Sequence, residues 1–103
     1  MRIAVATTDG QNVNEHFGKA EEFHIFDIAL DGPKFIGRRK VTPLSVGDKD
    51  HAFDEMRFKA VLAKIADCRK VYVSKIGEKP AAELRSHGIT PVLSDAAIES
   101  LRI

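Results

Sequence analysis

The chain has 103 residues, 44% hydrophobic and 30% charged, with a formal net charge of +1. These values are typical of one globular domain and argue against a disordered chain or a membrane span. The balanced charge excludes a whole-surface field that gathers nucleic acid. One cysteine excludes a disulfide framework and a four-thiolate cluster site, and the first residues lack a signal-peptide pattern. We therefore expect a single cytoplasmic domain over residues 1–103, with no membrane and no nucleic acid as partner.

The first half of the chain predicts three strands. An apolar run at residues 3–7 predicts a buried strand that ends in a turn. Residues 22–30 are apolar on both alternating faces, which predicts a central strand. The DGP sequence at 31–33 breaks that strand, and residues 34–41 resume as the second strand of a hairpin. The basic run at 38–40 indicates an edge of the sheet.

A long amphipathic helix is predicted next. Apolar residues recur at steps of three and four from Phe53 to Cys68, and Asp54 and Glu55 supply negative charge at the expected N-terminus. The compact apolar run at 70–77 predicts a fourth strand, which follows this helix.

A second helix, a fifth strand and a last short helix complete the prediction. Pro80 fits the first turn of the second helix, and Gly88 fits the position just beyond its end. Residues 89–93 predict the strand, and Ser94 or Asp95 can cap the last helix. This order predicts an α/β fold with a mixed five-stranded sheet and helices on both faces.

His16 is the first candidate for chemistry. In open sheets of this class, ligands bind beyond the carboxyl ends of the strands, where the loop after the first strand lies. A neutral imidazole can be a single reversible ligand to iron, and Phe17 with Gly18 would fix its approach by packing and by a tight turn. The alternative is a histidine that only hydrogen-bonds its own loop. The polar neighbours Asn14 and Glu15 favour a functional position.

The remaining cysteine and histidines favour structural roles. Cys68 ends the apolar stripe of the long helix, which predicts a buried thiol and leaves a thiolate ligand as the minority alternative. His24 lies inside a predicted strand and His87 beside a helix end, so both favour packing or surface roles. His51 is the only plausible second imidazole.

A hydrolase is the first alternative tested against these residues. Asp9 and Asp27 could form part of a two-metal carboxylate site, but such a site needs more convergent acids than the sequence places there. The TTDG turn lacks the spacing of a phosphate loop. No assembled catalytic motif is present, so we expect a protein that is not an enzyme.

Two long segments carry a resemblance to a known family. They are IAVATTDGQNVNEHFGKAEEFHIFDI and IADCRKVYVSKIGEKPAAELRSHGITPV. The HFG element and the pattern C-x2-V-x-V-x3-G-x3-A-x2-L-x3-G-I, which begins at Cys68, occur together in these segments. The chain thus resembles the nitrogenase iron-molybdenum cofactor biosynthesis family, which includes NifX, the core of NafY and the C-terminal domain of NifB.

The resemblance implies a ribonuclease H-like three-layer fold that transiently binds and carries an iron–sulfur cluster, the iron-molybdenum cofactor or its precursor, without catalysis. His16 is then the candidate metal ligand, with positive surroundings from Lys19 and the basic strand. The candidate cofactor-binding residues are Asp9, Asn14, His16, Phe17, Gly18, Lys19, Arg38 and Lys40. The implied partners are metallocluster assembly proteins or an apo-metalloprotein acceptor, and the chain itself would be a monomer or weak homo-oligomer.

Two alternatives from other classes stay open. The same loop could serve a regulatory or small-anion-binding module of general iron–sulfur metabolism, without direct metal ligation. The chain could also be an interaction domain that docks on a larger metalloprotein.

Overall fold

A computed structural model describes residues 1–44 and 54–102 of the chain. Five strands form one sheet: β1 (Arg2–Ala6), β2 (Glu22–Ala29), β3 (Gly32–Lys40), β4 (Lys70–Val73) and β5 (Thr90–Leu93). Their spatial order is β3-β2-β1-β4-β5. The hairpin strands pair antiparallel, whereas β1, β4 and β5 run parallel to one another. The predicted α/β class with a mixed five-stranded sheet is confirmed.

Both α-helices pack on one face of the sheet. Helix α1 (Glu55–Ile65) and helix α2 (Glu78–Ser86) bury their apolar sides against a cluster that includes Ala4 and Ala6 of β1. The opposite face buries Ile3 and Val5 under a short 3₁₀ helix, Ile98–Ser100. This face of the sheet is therefore covered less extensively than the face that carries α1 and α2, because the 3₁₀ helix has only three residues. Within the described residues, no helix is long and apolar enough to cross a membrane.

The ends of the α-helices follow the sequence signals. Asp54 caps α1, and its carboxylate accepts a hydrogen bond from the Arg57 backbone N–H at 3.0 Å. Gly88 follows α2 with φ of +80°, a conformation that glycine adopts without strain, and the Ile89 N–H reaches back to the Leu84 carbonyl at 2.9 Å. The predicted start of α1 and the predicted end of α2 are confirmed. The predicted end of α1 is wrong, because the helix stops at Ile65 and Cys68 lies in the turn that follows it. His51 and Phe53, two residues singled out in the sequence, lie outside the described residues.

The predicted cap of the last helix is wrong. The 3₁₀ helix Ile98–Ser100 begins after Ala97 and has no side-chain cap. Ser94 lies too far upstream, and its hydroxyl accepts a hydrogen bond from the Ala96 N–H at 3.1 Å instead. A serine that closes its own local turn cannot also cap a helix four residues later.

Strand β3 is an edge of the sheet, as its basic run predicted. Pro33, which was expected to break the chain before this strand, pairs with Ile28 inside it. The N–H and carbonyl of Ile28 both bond to Met1, on the β1 side, so the missing N–H of Pro33 lies on the outer side of β3. Farther along, the register shift leaves Ile36 unpaired as a β-bulge.

Strand β5 is the other edge and also contains a proline. The N–H groups of Thr90 and Ser94 donate to the carbonyls of Arg69 and Val73 and therefore face β4. Alternate residues of a parallel strand face opposite directions, so the position of Pro91 faces outward. Each edge strand therefore has a proline at a position where any other residue would point a backbone N–H outward.

Candidate functional site

The loop after β1 lies across the carboxyl ends of the parallel strands. The Glu15 N–H donates to the Ala6 carbonyl at 3.3 Å, and the Ser74 N–H donates to the Glu15 carbonyl at 3.0 Å. Farther back in the loop, the Val13 N–H donates to the carbonyl of Ala96 at 3.0 Å. The turns after all three parallel strands thus hold this one loop at the end of the sheet where a ligand site was predicted.

His16 has a fixed backbone and an unengaged ring. Its N–H donates to the Glu15 carboxylate at 2.7 Å, and its carbonyl accepts from the Lys19 N–H at 3.2 Å. An isolated parallel bridge pairs it with Lys75, so β4 ends earlier than predicted because the chain beyond Val73 bonds to this loop. The half-buried imidazole makes no hydrogen bond or ion pair with any residue that the structure describes.

Phe17 and Gly18 form the tight turn that the sequence predicted. They belong to a 3₁₀ turn, Phe17–Lys19, that begins directly after His16. The Phe17 ring is only 2% exposed and packs against Phe23 and Phe58 at centroid distances of 5.8 and 6.2 Å. Phe17 therefore anchors the turn to the core, and its ring faces the α-helical layer.

Asp9 braces the loop through its carboxylate. Oδ1 accepts hydrogen bonds from the N–H groups of Gln11 and Asn12 at 2.8 and 3.0 Å and from the Thr7 hydroxyl at 3.1 Å. Oδ2 accepts from the Asn12 side chain at 3.1 Å. These hydrogen bonds hold the pKa of Asp9 well below its usual range, and the bond from the Gln11 N–H has the largest effect. The carboxylate oxygens are thus occupied by the loop itself.

Asn14 and Gly10 stabilise the same loop. The Asn14 side-chain oxygen accepts a hydrogen bond from the Thr8 N–H at 2.8 Å. Gly10 has φ of +73°, and a Cβ there would lie 3.1 Å from His24 Cε1, so both the backbone and the space favour glycine. Asn14 therefore has a structural task within the loop, and its role toward a cofactor stays a prediction.

The structure brings two of the predicted cations together. Lys19 and Lys40 line one groove of about 530 Å³ beside the loop. The same groove is lined by Glu15, Glu21 and Glu22, so its acidic side chains outnumber its lysines. The groove is therefore less positive than the sequence indicated.

Arg38 is separate from that groove, and Arg39 has a different role. Arg38 and Lys40 share a face of β3, as the alternation predicted, but Arg38 does not line the groove. Arg39 points to the α-helical face, where it donates to the Asp67 carboxylate at 2.6 and 3.0 Å and to the Lys64 carbonyl at 2.8 Å. It fastens the edge strand to the end of α1.

Cys68 is buried at the opposite end of the sheet. It is 4% exposed, and burial raises the pKa of its thiol to about 12, with the neighbouring Asp67 carboxylate adding to the effect. The thiol is therefore protonated at neutral pH, as a structural cysteine is. Seven extended residues separate Cys68 from Lys75, the partner of His16, which is a distance of roughly 20 Å.

The other histidines and acids do not join His16. The His24 ring lies 3.2 Å from the Glu22 carboxylate, and the His87 ring lies 2.8 Å from a helical carbonyl. Asp27, the second acid of the hydrolase alternative, pairs with Arg2 at 3.2 Å. Over residues 1–44 and 54–102, no three histidine, cysteine or acidic side chains converge as metal ligands. The described residues therefore form no three-ligand metal site at His16.

Comparisons with known proteins decide the family. The family model described as "Dinitrogenase iron-molybdenum cofactor" matches residues 1–101. The chain belongs to this family. It is 40% identical over 92 residues to the FeMo cofactor biosynthesis protein NifB of Herbaspirillum seropedicae, covering 89% of this chain and 17% of that protein. It is 36% identical over 89 residues to the protein of the same name from Azotobacter vinelandii, covering 86% of this chain and 18% of that protein.

A solved structure shares the fold of this family member. The crystal structure of PH0822 superposes with a TM-score of 0.62 at 24% identity, covering 90% of this chain and 78% of that chain. The resemblance found in the sequence is confirmed at the level of the family. The chain spans less than a fifth of the length of these two NifB proteins, so the activity of those whole proteins does not transfer to it.

Proposed function

We propose that this chain binds an iron–sulfur cofactor of the iron-molybdenum type, or its precursor, through His16 and releases it to another protein without catalysing a reaction. One observation carries the proposal: the imidazole lies half-exposed on a fixed backbone, and no described protein group engages it. Membership of the family supports involvement in cofactor assembly.

A single imidazole suits a carrier better than a full ligand set. A metallocluster brings its own bridging sulfides, so the protein needs to fill only one coordination position. An imidazole bond to iron is reversible, whereas several thiolates would hold the cluster as a permanent centre. The described residues bring no group of three metal-binding side chains together, which agrees with transient binding.

The loop supports binding before any cargo arrives. Asp9 and Asn14 bond to backbone N–H groups within the loop, and Phe17 anchors its end in the core. All of these contacts are made within the protein, which favours a loop that is ordered before the cargo binds. The Glu15 carboxylate, the acid next in sequence to the ring, accepts the His16 N–H at 2.7 Å and helps to fix the backbone of the loop.

The receiving protein would be a metallocluster assembly protein or an apo-metalloprotein. A carrier must discharge its cargo, and an exposed site at the end of a sheet leaves one side of the cluster open to an acceptor. The acceptor's stronger ligand set then displaces the one imidazole.

A docking or regulatory role without metal ligation is the second candidate. The groove beside the loop contains three glutamates and two lysines, which disfavours a small anion as its ligand. Docking on a larger metalloprotein is compatible with that mixed charge. Co-purification with such a partner, combined with no spectral change on adding cofactor, would favour docking over carriage.

The decisive test replaces His16 with alanine. We expect the unfolding free energy to stay within about 0.5 kcal/mol of the parent, because the ring is not part of the core. Affinity for isolated iron-molybdenum cofactor should fall by about tenfold or more, the scale of losing one interaction of roughly 1.4 kcal/mol. Anaerobic titration followed by absorption and electron paramagnetic resonance measures both affinity and the electronic environment of the cluster.

His87→Ala is the matched control, since it removes an exposed histidine whose ring bonds to the Glu83 carbonyl in α2. This variant should bind as the parent does. Equal affinity and an unchanged spectrum in His16→Ala would exclude ligation by His16.

A further inference from the structure

The turn between β4 and α2 brings one more cation beside His16. The isolated bridge pairs His16 with Lys75, and the Phe17 N–H donates to the Lys75 carbonyl at 2.9 Å. Paired residues of neighbouring strands lie roughly 5 Å apart and direct their side chains to the same face. Lys75 is exposed and forms no ion pair with any residue in the described part of the chain.

The groove on the other side of the loop offers an anionic cargo less positive charge than the side of Lys75 does. The groove that contains Lys19 and Lys40 has one more carboxylate than it has ammonium groups. An anionic cluster that entered this groove would meet a slightly negative surface. On the side of the β4–α2 turn, Glu78 and Lys79 begin α2 with opposite charges, and Lys75 adds a positive one.

We propose that Lys75 contacts the anionic cargo whose metal His16 binds. This inference rests on the proposed function and adds the side from which the cargo is held. The cluster lies over the β4–α2 turn rather than in the groove between Lys19 and Lys40. The ammonium donates hydrogen bonds to the anionic atoms of the cluster and compensates its charge.

One backbone bridge sets the spacing of the two groups. The Lys75 carbonyl holds the residue after His16, and the Ser74 N–H holds the residue before it. The metal ligand and the positive charge are therefore positioned together before the cargo arrives. A change in the Lys75 side chain leaves this bridge intact, because only backbone atoms form it.

The experiment titrates isolated iron-molybdenum cofactor into the parent and five variants under anaerobic conditions at low and high salt. The variants are Lys75→Gln, Lys75→Arg, Lys34→Gln, Lys40→Gln and His16→Ala. Lys34→Gln is the matched control, since it removes an equal exposed charge at the far end of β3, opposite Asp27. We expect Lys75→Gln to bind about threefold to tenfold more weakly, with a shallower salt dependence. Lys75→Arg should restore most of the affinity, and Lys34→Gln should match the parent.

Three results would overturn the proposal. Equal weakening in Lys75→Gln and Lys34→Gln would reduce the effect to net charge. A larger loss in Lys40→Gln than in Lys75→Gln would place the cargo in the groove. An affinity of Lys75→Gln equal to that of the parent at low salt would exclude the contact, because an exposed charge acts most strongly where screening is weakest.

The design also separates this proposal from the proposed function. If His16→Ala loses affinity while Lys75→Gln keeps it, carriage by His16 stands and the role of Lys75 fails. If the parent does not bind the cofactor, both fail. Each lysine variant should unfold at the temperature of the parent, because the substituted lysines are exposed.

Discussion

The two ends of the central strands use charge in opposite ways. At the amino end of β1, Arg2 bonds to Asp27 at 3.2 Å and to Asp67 at 3.0 Å, and Arg39 bonds to Asp67 at 2.6 Å. At the carboxyl end, Asp9 and Asn14 hold the loop backbone, but the His16 ring and the Lys75 ammonium have no partner among the described residues. Where side chains satisfy one another they stabilise the fold, and where only the backbone is satisfied the side chains remain available to a ligand.

This difference between the two ends predicts different effects of substitution at each end. Substitutions at the amino end should change stability and leave cofactor affinity alone. Substitutions of the exposed side chains at the carboxyl end, described above for His16 and Lys75, should change affinity and leave stability alone.

Phe17 should give the largest stability effect, although it lies at the carboxyl end. Phe17→Ala removes a buried ring that packs against Phe23 and Phe58, which should cost about 3–5 kcal/mol in urea unfolding. Phe17→Leu keeps most of the volume and should cost about 1 kcal/mol. We expect Phe17→Leu to bind cofactor within twofold of the parent, since the ring anchors the loop. Native stability with lost affinity in Phe17→Leu would instead make the ring a direct contact.

Cys68 should give a smaller effect, confined to stability. Cys68→Ser places a hydroxyl in a site that is 4% exposed, which should cost about 1–3 kcal/mol. Cys68→Ala is the control, because it removes the sulfur without adding a polar group and should cost less. Both variants should bind cofactor as the parent does. An unchanged unfolding midpoint together with weaker cofactor binding would show a thiolate ligand and reverse the assignment.

Asp67 should give the smallest effect, and that effect depends on pH. The pKa of the Asp67 carboxyl lies well below its usual range. The main cause is its hydrogen bonding to Arg39, and a hydrogen bond to Arg2 adds to the effect. Because the folded pKa is depressed, the stabilisation is complete above the unfolded pKa of about 4 and is lost as the pH falls toward the folded pKa. After discounting for partial exposure, Asp67→Asn should cost about 1 kcal/mol at neutral pH.

Chemical denaturation of parent and Asp67→Asn at several pH values measures that difference. The gap between them should shrink as the pH falls below about 4, since the unfolded carboxyl then binds a proton. Asp31→Asn, an exposed acid in the hairpin turn, serves as the control and should show little gap at any pH. A gap that stays constant with pH would assign the effect to packing rather than to charge.

Local patterns predicted the elements of this fold because each depends on nearby residues. The apolar runs predicted all five strands, and Asp54 and Gly88 predicted the ends of the helices that they flank. The last short helix was less predictable, because Ser94 had two competing local hydrogen-bonding roles. Its hydroxyl closes its own turn, so the 3₁₀ helix begins without a side-chain cap.

The site was only partly predictable, because side-chain partners come from distant parts of the chain. Alternation along β3 placed Arg39 on the face opposite Arg38, but not against Asp67, which lies 28 residues farther along the chain. Asp9 had a readable signal, since an aspartate before a glycine and an asparagine favours a turn that its own carboxylate closes. No sequence pattern indicated that Lys75 lies beside His16, because that proximity depends on the pairing of His16 with the β4–α2 turn.

The outward prolines of β3 and β5 bear on how this unit coexists with other protein. Pro33 and Pro91 remove donors from the two exposed borders of the sheet, and the bulge at Ile36 interrupts one of them further. A neighbouring polypeptide therefore finds no continuous row of hydrogen bonds with which to extend the sheet at either border. Such a unit can be fused to larger proteins, or produced at high concentration, with little risk that its strands recruit each other into fibrous aggregates.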